Sequence, residues 1–346
     1  MKNFFPGLYE NDRLKAQIGA RILQGTLAHA YLIQGPRGTG KHLFAHLLAA
    51  AISCERLDSA DTPLPCGSCS ICRKIMADNS PDLLFVNRGE NATIGIETIR
   101  RMKEDIYLSP SECKKKVYVI EEAEKMTPAA QNALLIVLEE PPPDVLLLLL
   151  SEDASSLLPT VHSRVQTLRM SLFDEEAMRR FLGKEAEAVR LQRTEPTRYQ
   201  ALLRAANGSP GRARMLLDPE EQKELLSERK TTLSVLDTLH NRADFRSILQ
   251  ATASLSQKRN DLIAELSLLL LAFRDLILLK RDESAPLCFY DTRENALDKS
   301  EQISLRALIR LYDVTDACIQ ELQKNGNVSV LLSAWRQDLL LSLSQH

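Results

Sequence analysis

The segment Gly35-Pro36-Arg37-Gly38-Thr39-Gly40-Lys41-His42 is a phosphate-binding loop complete up to its last position, where His42 stands in place of the usual Ser or Thr. Glycines at this spacing let consecutive backbone N–H groups curl around phosphate oxygens. Lys41 supplies a cation, and a helix starting after it adds the positive end of its dipole. Such a loop constrains the fold because it works only between a buried strand and a helix. Both flanks are present: Ala30-Tyr31-Leu32-Ile33-Gln34 reads as the strand, and Leu43 to Ile52, apolar and Ala-rich, as the helix. An α/β core is therefore expected. The hydroxyl missing at His42 normally ligates Mg²⁺, and that metal stabilises charge on a transferring phosphoryl group. A cradle kept without this ligand predicts nucleotide binding with poor hydrolysis.

At 346 residues, two or three domains are expected. The balance of 44 Lys and Arg against 46 Asp and Glu leaves no global basic field, so any DNA contact must be local or made within an assembly. Met1 to Glu10 carries no basic stretch followed by an apolar one, so no secretory signal is read there and a cytoplasmic protein is expected. Val145–Leu150 is too short to span a bilayer, and Leu262–Leu279 contains Glu265, Arg274 and Asp275. Both are expected to be buried core, with no membrane contact.

Seven cysteines in a cytosolic chain argue for metal or free thiols before disulfides. Four form a pattern, Cys54 followed by Cys66, Cys69 and Cys72, with Pro65 and Gly67 to turn the chain between them. This spacing suits a closed, structural Cys₄ zinc site. Iron–sulfur ligation and unliganded surface thiols are the alternatives. Cys113, Cys288 and Cys318 have no partner spacing and read as ordinary core or surface residues.

Further along, Asp82-Leu83-Leu84-Phe85-Val86 reads as a short strand, Ile96 to Ile106 as a helix, and Val117-Tyr118-Val119-Ile120 as a second buried strand. The triplet Lys114-Lys115-Lys116 before it reads as a solvated turn, with phosphate binding as the alternative. The strand ends in Glu121-Glu122. In P-loop ATPases an acidic pair here holds the metal and polarises the attacking water, and Glu122 is the candidate for the second role. An acidic cluster favoured by a helix N-terminus explains Glu122 and Glu124 equally well.

Glu121-Glu122-Ala123-Glu124-Lys125-Met126-Thr127, then Ala130-Gln131-Asn132-Ala133-Leu134-Leu135 and Leu138-Glu139-Glu140-Pro141-Pro142, resemble the AAA+ core of bacterial DNA polymerase III clamp-loader subunits. Leu158-Pro159-Thr160-Val161-His162-Ser163-Arg164-Val165-Gln166 is similar to their Ser-Arg-Cys segment, with Val165 in the Cys place. His29-Ala30-Tyr31 fits as well, and the cysteines fall where that family inserts its zinc module. The resemblance covers about residues 1 to 220 and implies a parallel-sheet P-loop core, a helical lid and an all-α collar. Residues 1–169 would form the core with its Cys₄ module at about 54–72, with Thr167-Leu168-Arg169 leaving the sheet. Residues 170–218 would form the lid, containing helices over Glu175–Leu182 and Tyr199–Ala206, and 219–346 the oligomerising collar. Asp218-Pro219 marks the boundary.

Hydrolysing γ/τ subunits carry Gly-Lys-Thr, Asp-Glu and a Thr-Thr-acid sensor. This chain has His42, Glu121 and Leu150-Ser151-Glu152-Asp153 in those places. By resemblance it is most similar to the δ′ subunit, a stator with little or no ATPase of its own. The family's arginine finger falls on Arg164, which would act in trans; a surface arginine capping a helix is the alternative. In Asn207-Gly208-Ser209-Pro210-Gly211-Arg212, Arg212 takes the sensor-2 place, or is simply an exposed helix-start residue. The resemblance implies ATP or ADP in the loop, with or without Mg²⁺, and structural zinc. Implied partners are γ/τ and δ in a hetero-pentameric ring acting on a sliding clamp and primed DNA. The alternative function is a γ/τ-like ATP-hydrolysing motor.

Overall fold

The computed structural model describes residues 2–59, 61–89, 91–218, 231–239, 244–285, 287, 289–290, 292–323 and 326–344; Pro219 and Cys288 lie outside them. The chain divides into two compact units, one of 1–183 with 208–212, the other of 184–207 with 213–346. The stretch read as a lid is shared between the two.

The first unit is built on a five-stranded sheet of order β2-β3-β4-β1-β5, every pairing parallel. Its strands are β1 (Ala30–Gln34), β2 (Leu83–Val86), β3 (Lys116–Ile120), β4 (Val145–Ser151) and β5 (Gln166–Arg169). All seven residues of β4 are buried, as expected of a strand covered on both faces. Successive side chains point to opposite faces, so one sequence feeds two cores. Tyr31, Ile33, Val117, Val119, Leu146, Leu148 and Leu150 pack with helices α1 (Asp12–Gln24) and α2 (Lys41–Ile52). Leu32, Tyr118, Ile120, Leu147 and Leu149 pack with α4 (Ile96–Asp105) and α5 (Pro128–Glu139). Between them in sequence lies the short α3 (Ser70–Met76).

Two details correct the sequence reading. Thr167-Leu168-Arg169 does not leave the sheet but forms its edge, pairing with Leu32, Ile33 and Gln34 of β1. Lys116 is not part of a solvated turn. It opens β3 at 6 % exposure, and its Nζ lies 2.8 Å from Asp105 Oδ2, which also accepts the Tyr118 hydroxyl at 2.6 Å. Those two hydrogen bonds hold the Asp105 carboxyl below the usual range.

The second unit is helical. The longest helix among its described residues, Arg259–Leu279, buries Leu262, Leu266, Leu269, Phe273 and Leu276, while Leu268, Leu270 and Leu271 remain half-buried. Leu305–Gln323 and Val328–Ser344 complete the core around Trp335, whose indole N–H donates to Thr315 Oγ1 at 3.1 Å. Asp275, fully buried, accepts the N–H groups of Phe289 and Tyr290. No helix among the described residues is long and apolar enough to cross a membrane.

Candidate functional site

The phosphate loop leaves β1 at the sheet's carboxyl edge, where α/β folds bind ligands. Gly35 N–H donates to the Ser151 carbonyl at 3.1 Å, tying the loop to β4. A Cβ on Gly35 would sit 2.5 Å from the Met170 carbonyl oxygen, so only glycine passes there. Gly38 and Gly40 have φ of +77° and +93°, and Gly40 caps α2. Before these glycines, Pro36 and Arg37 are exposed, whereas Thr39, between them, is buried with its hydroxyl donating to the Pro36 carbonyl. Lys41, 8 % exposed, donates to the carbonyls of Gly35 at 2.6 Å and Pro36 at 3.0 Å. Burial lowers its pKa, against the fields of Glu152 and Glu124.

His42 and Glu121 meet. His42 Nδ1 lies 3.2 Å from Glu121 Oε1, and its ring stacks on Phe85 at 6.3 Å between centroids. The imidazole thus stands where a hydroxyl would ligate a metal, and its partner is the carboxylate at the end of β3. Glu122 is in the left-handed region at φ 46°, with Oε2 2.7 Å from Arg88 Nε. Glu124 Oε1 faces the backbone N–H of Glu152 at 3.4 Å, whereas its Oε2 and the Ser151 hydroxyl are buried without a partner among the described residues. The glycine-dependent cradle and the Ser151 hydroxyl, which can donate, fit a phosphate-bearing ligand, whereas the Glu124 oxygen, an acceptor, suits a cation or a water. A metal would lack one direct oxygen ligand at position 42.

The 208–212 segment belongs to the same unit and packs on the loop. Ser209 Oγ donates to the Arg37 carbonyl at 3.0 Å, and Gly211 N–H to the Gly38 carbonyl at 2.9 Å. Either glycine would clash with the other segment if it carried a Cβ. The backbone of Arg212 is thereby brought beside the cradle, its N–H donating to Ser209 Oγ at 3.2 Å.

Arg164 follows the short helix α6 (Pro159–His162), which opens on Pro159 at a position where no N–H is needed. Its Nη2 lies 2.7 Å from Glu139 Oε1, and Nη1 donates to the Thr160 carbonyl and Ser163 Oγ. Buried Gln131 on α5 steadies the approach: it donates to the carbonyls of Met126 and Ser156 and accepts the Leu158 N–H at 2.7 Å. In the sequence Gln131 stands only as part of the Ala130–Leu135 motif. Its one signal was an amide on an otherwise apolar helix face.

The four cysteine sulfurs of Cys54, Cys66, Cys69 and Cys72 lie within 4.8 Å of one another. The Cys66 and Cys72 sulfurs are 4.0 Å apart, near the roughly 3.8 Å edge of a tetrahedron with 2.3 Å metal–sulfur bonds. Backbone N–H groups of Cys69 and Cys72 point at the sulfurs of Cys66 and Cys69, both at 3.4 Å. Such donors stabilise thiolate. Against burial, N–H groups of Ser68 and Cys69 bring Cys66 down to about 6, whereas at Cys54 and Cys72 burial wins and raises the thiols. Cys69 also caps α3, and Leu64 is bonded to Asn3 and Phe5, so the module is pinned at its middle and near its last ligand. The donor set fits a structural metal such as zinc, with no open position for chemistry. Of the other cysteines, Cys318 is buried and Cys113 half-buried.

Comparison with known proteins gives a consistent kinship. Residues 10–174 match the family described as DNA polymerase III, delta subunit. The DNA polymerase III subunit tau of Bacillus subtilis is 28 % identical over 334 residues, covering 92 % of this chain and 58 % of the relative. The gamma/tau subunit of Mycobacterium tuberculosis is 27 % identical over 358 residues, covering 97 % and 61 %. The Escherichia coli tau subunit is 34 % identical over 194 residues, 56 % of this chain and 29 % of its own length. The chain spans about three fifths of the length of the first two of these relatives. Among solved structures, a gamma subunit-related protein of Thermotoga maritima aligns over 96 % of this chain and 100 % of its own, with a TM-score of 0.49 and 17 % identity.

Proposed function

We propose, because the chain belongs to the gamma/tau-like AAA+ subunits of DNA polymerase III clamp loaders, that it is the stator of such an assembly. In this reading its own ATPase is feeble or absent, and Arg164 acts on a neighbour's nucleotide. The observation that carries the reading is the contact between His42 and Glu121. Both depart from the hydrolysing pattern, and each is the other's partner where a hydroxyl and an aspartate would share Mg²⁺. Two further features support it: Glu122 faces Arg88, and Glu152 occupies a sensor position.

The phosphate loop retains its cradle, so ATP or ADP remains a ligand of this chain, with Arg212 brought alongside. When bound, Mg²⁺ supplies charge stabilisation to phosphoryl groups; here Glu121 would hold it only through water, since Mg²⁺ keeps several of its waters. The cysteine cluster would hold zinc and brace the core. Residues 170–218 act as a lid and 219–346 as the collar of a hetero-pentameric ring with γ/τ and δ subunits. The ring would open a sliding clamp on primed DNA in the cytoplasm.

Single-turnover ATP hydrolysis by the isolated chain tests the assignment. No product above the uncatalysed background is expected. Steady turnover without partners would instead make this chain a γ/τ-like motor, with His42 and Glu121 supporting Mg²⁺ through water.

A further inference from the structure

Helix α5 ends in Glu139-Glu140 and has no basic residue in its last turn. Carboxylates there meet the negative end of the helix dipole, which is the unfavourable sign. A local rule broken in this way points to a requirement imposed from outside the helix. The segment after α6 supplies one: Arg164 Nη2 lies 2.7 Å from Glu139 Oε1. Nη1 is engaged separately, by the Thr160 carbonyl at 3.0 Å and Ser163 Oγ at 3.2 Å. Two of the three guanidinium nitrogens are thus fixed, Nε has no partner among the described residues, and the side chain is 35 % exposed. An exposed arginine normally samples many rotamers. Contacts on both Nη atoms restrict this one to a single pose with the Nε edge free.

We propose that Glu139 is a positioning residue for Arg164. It is the counter-charge that holds the guanidinium beside α6 so that the free edge meets the γ-phosphate of a neighbouring subunit's nucleotide. This rests on the reading of Arg164 as a trans-acting group. Glu139 itself touches no nucleotide in this arrangement and acts only on orientation. Misplacing a charge-stabilising group weakens the transition state more than ground-state binding, so the signature belongs in kcat and not in KM.

The test is a double-mutant cycle in the complex reconstituted with its ATP-hydrolysing subunits. Glu139→Gln, which keeps the shape and removes the charge, is expected to lower partner-stimulated kcat about tenfold with KM nearly unchanged. Glu139→Asp should recover part of the loss. In an Arg164→Ala background, Glu139→Gln should change nothing further. Arg164→Ala slowing the ring while Glu139→Gln turns over at the wild-type rate overturns the positioning role alone. So does an equal loss from Glu139→Gln in both backgrounds, which would mark a structural effect. Arg164→Ala at the wild-type rate overturns the trans-acting reading, and the positioning role with it.

Discussion

The phosphate loop and the segment after α6 lie in one unit and handle charge in opposite ways. At the loop the charges are directed inward: Lys41 donates to the loop's own carbonyls, Glu121 faces His42, and Glu122 faces Arg88. After α6, Arg164 is held by its two Nη atoms and leaves Nε unpartnered among the described residues, with a third of the side chain in solvent. The glycine cradle is intact, but the groups that would work a metal are engaged with one another. The proposed stator role rests on this difference, with the cradle kept at one place and an arginine held at the other.

The comparison breaks most visibly at Arg164. In the reconstituted ring Arg164→Ala should cut ATP turnover by on the order of 10³ while assembly persists, read as turnover at matched subunit concentration. Lysine there should rescue only in part, because it lacks the planar fork.

A smaller effect is expected at the cysteine module, which bears on neither side of the comparison. Cys69→Ala should remove the bound metal and cost about 2–5 kcal/mol, the scale of losing a structural cross-link. Metal analysis and chemical denaturation would read both, and nucleotide affinity should be unchanged in protein that remains folded.

Smaller again is the contribution of Asp82, which is buried and accepts three N–H groups from Ser111, Glu112 and Cys113 at 2.7 to 2.8 Å. Burial raises its pKa, but those donors win and leave it lowered. Its stabilisation is therefore present above the unfolded value of about 4 and lost as pH falls through the lower folded value. Asp82→Asn should cost about 1–3 kcal/mol near neutrality and flatten the acid limb of the stability curve. The smallest change belongs to His42→Thr: the isolated chain should remain at background turnover, because Glu121 and Glu152 still depart from the hydrolysing pattern.

Local features were legible in the sequence. The strand Ala30–Gln34, the helix after Lys41 and the cluster of four cysteines follow from spacing and periodicity, which neighbouring residues determine among themselves. Contacts across the chain were not. Lys116 read as solvated because its partner Asp105 lies on another element, and Thr167–Arg169 read as leaving the sheet because β5, Gln166–Arg169, has Leu168 as its one apolar residue and shows no buried-strand pattern. The packing of Ser209 and Gly211 on the loop, the contact of His42 with Glu121, and the Gln131 bonds that fix the approach to Arg164 join residues distant in sequence. Nothing local encodes such pairs. Their residues were singled out by motif, and their partners came only from the fold.

The most direct measurement compares two variants of this chain in the same reconstituted ring, Lys41→Ala at its own loop and Arg164→Ala at the segment offered outward. The account predicts ATP turnover near the wild-type rate for Lys41→Ala and a loss on the order of 10³ for Arg164→Ala, at equal assembly. A ring that stalls with Lys41→Ala and turns over normally with Arg164→Ala would contradict it.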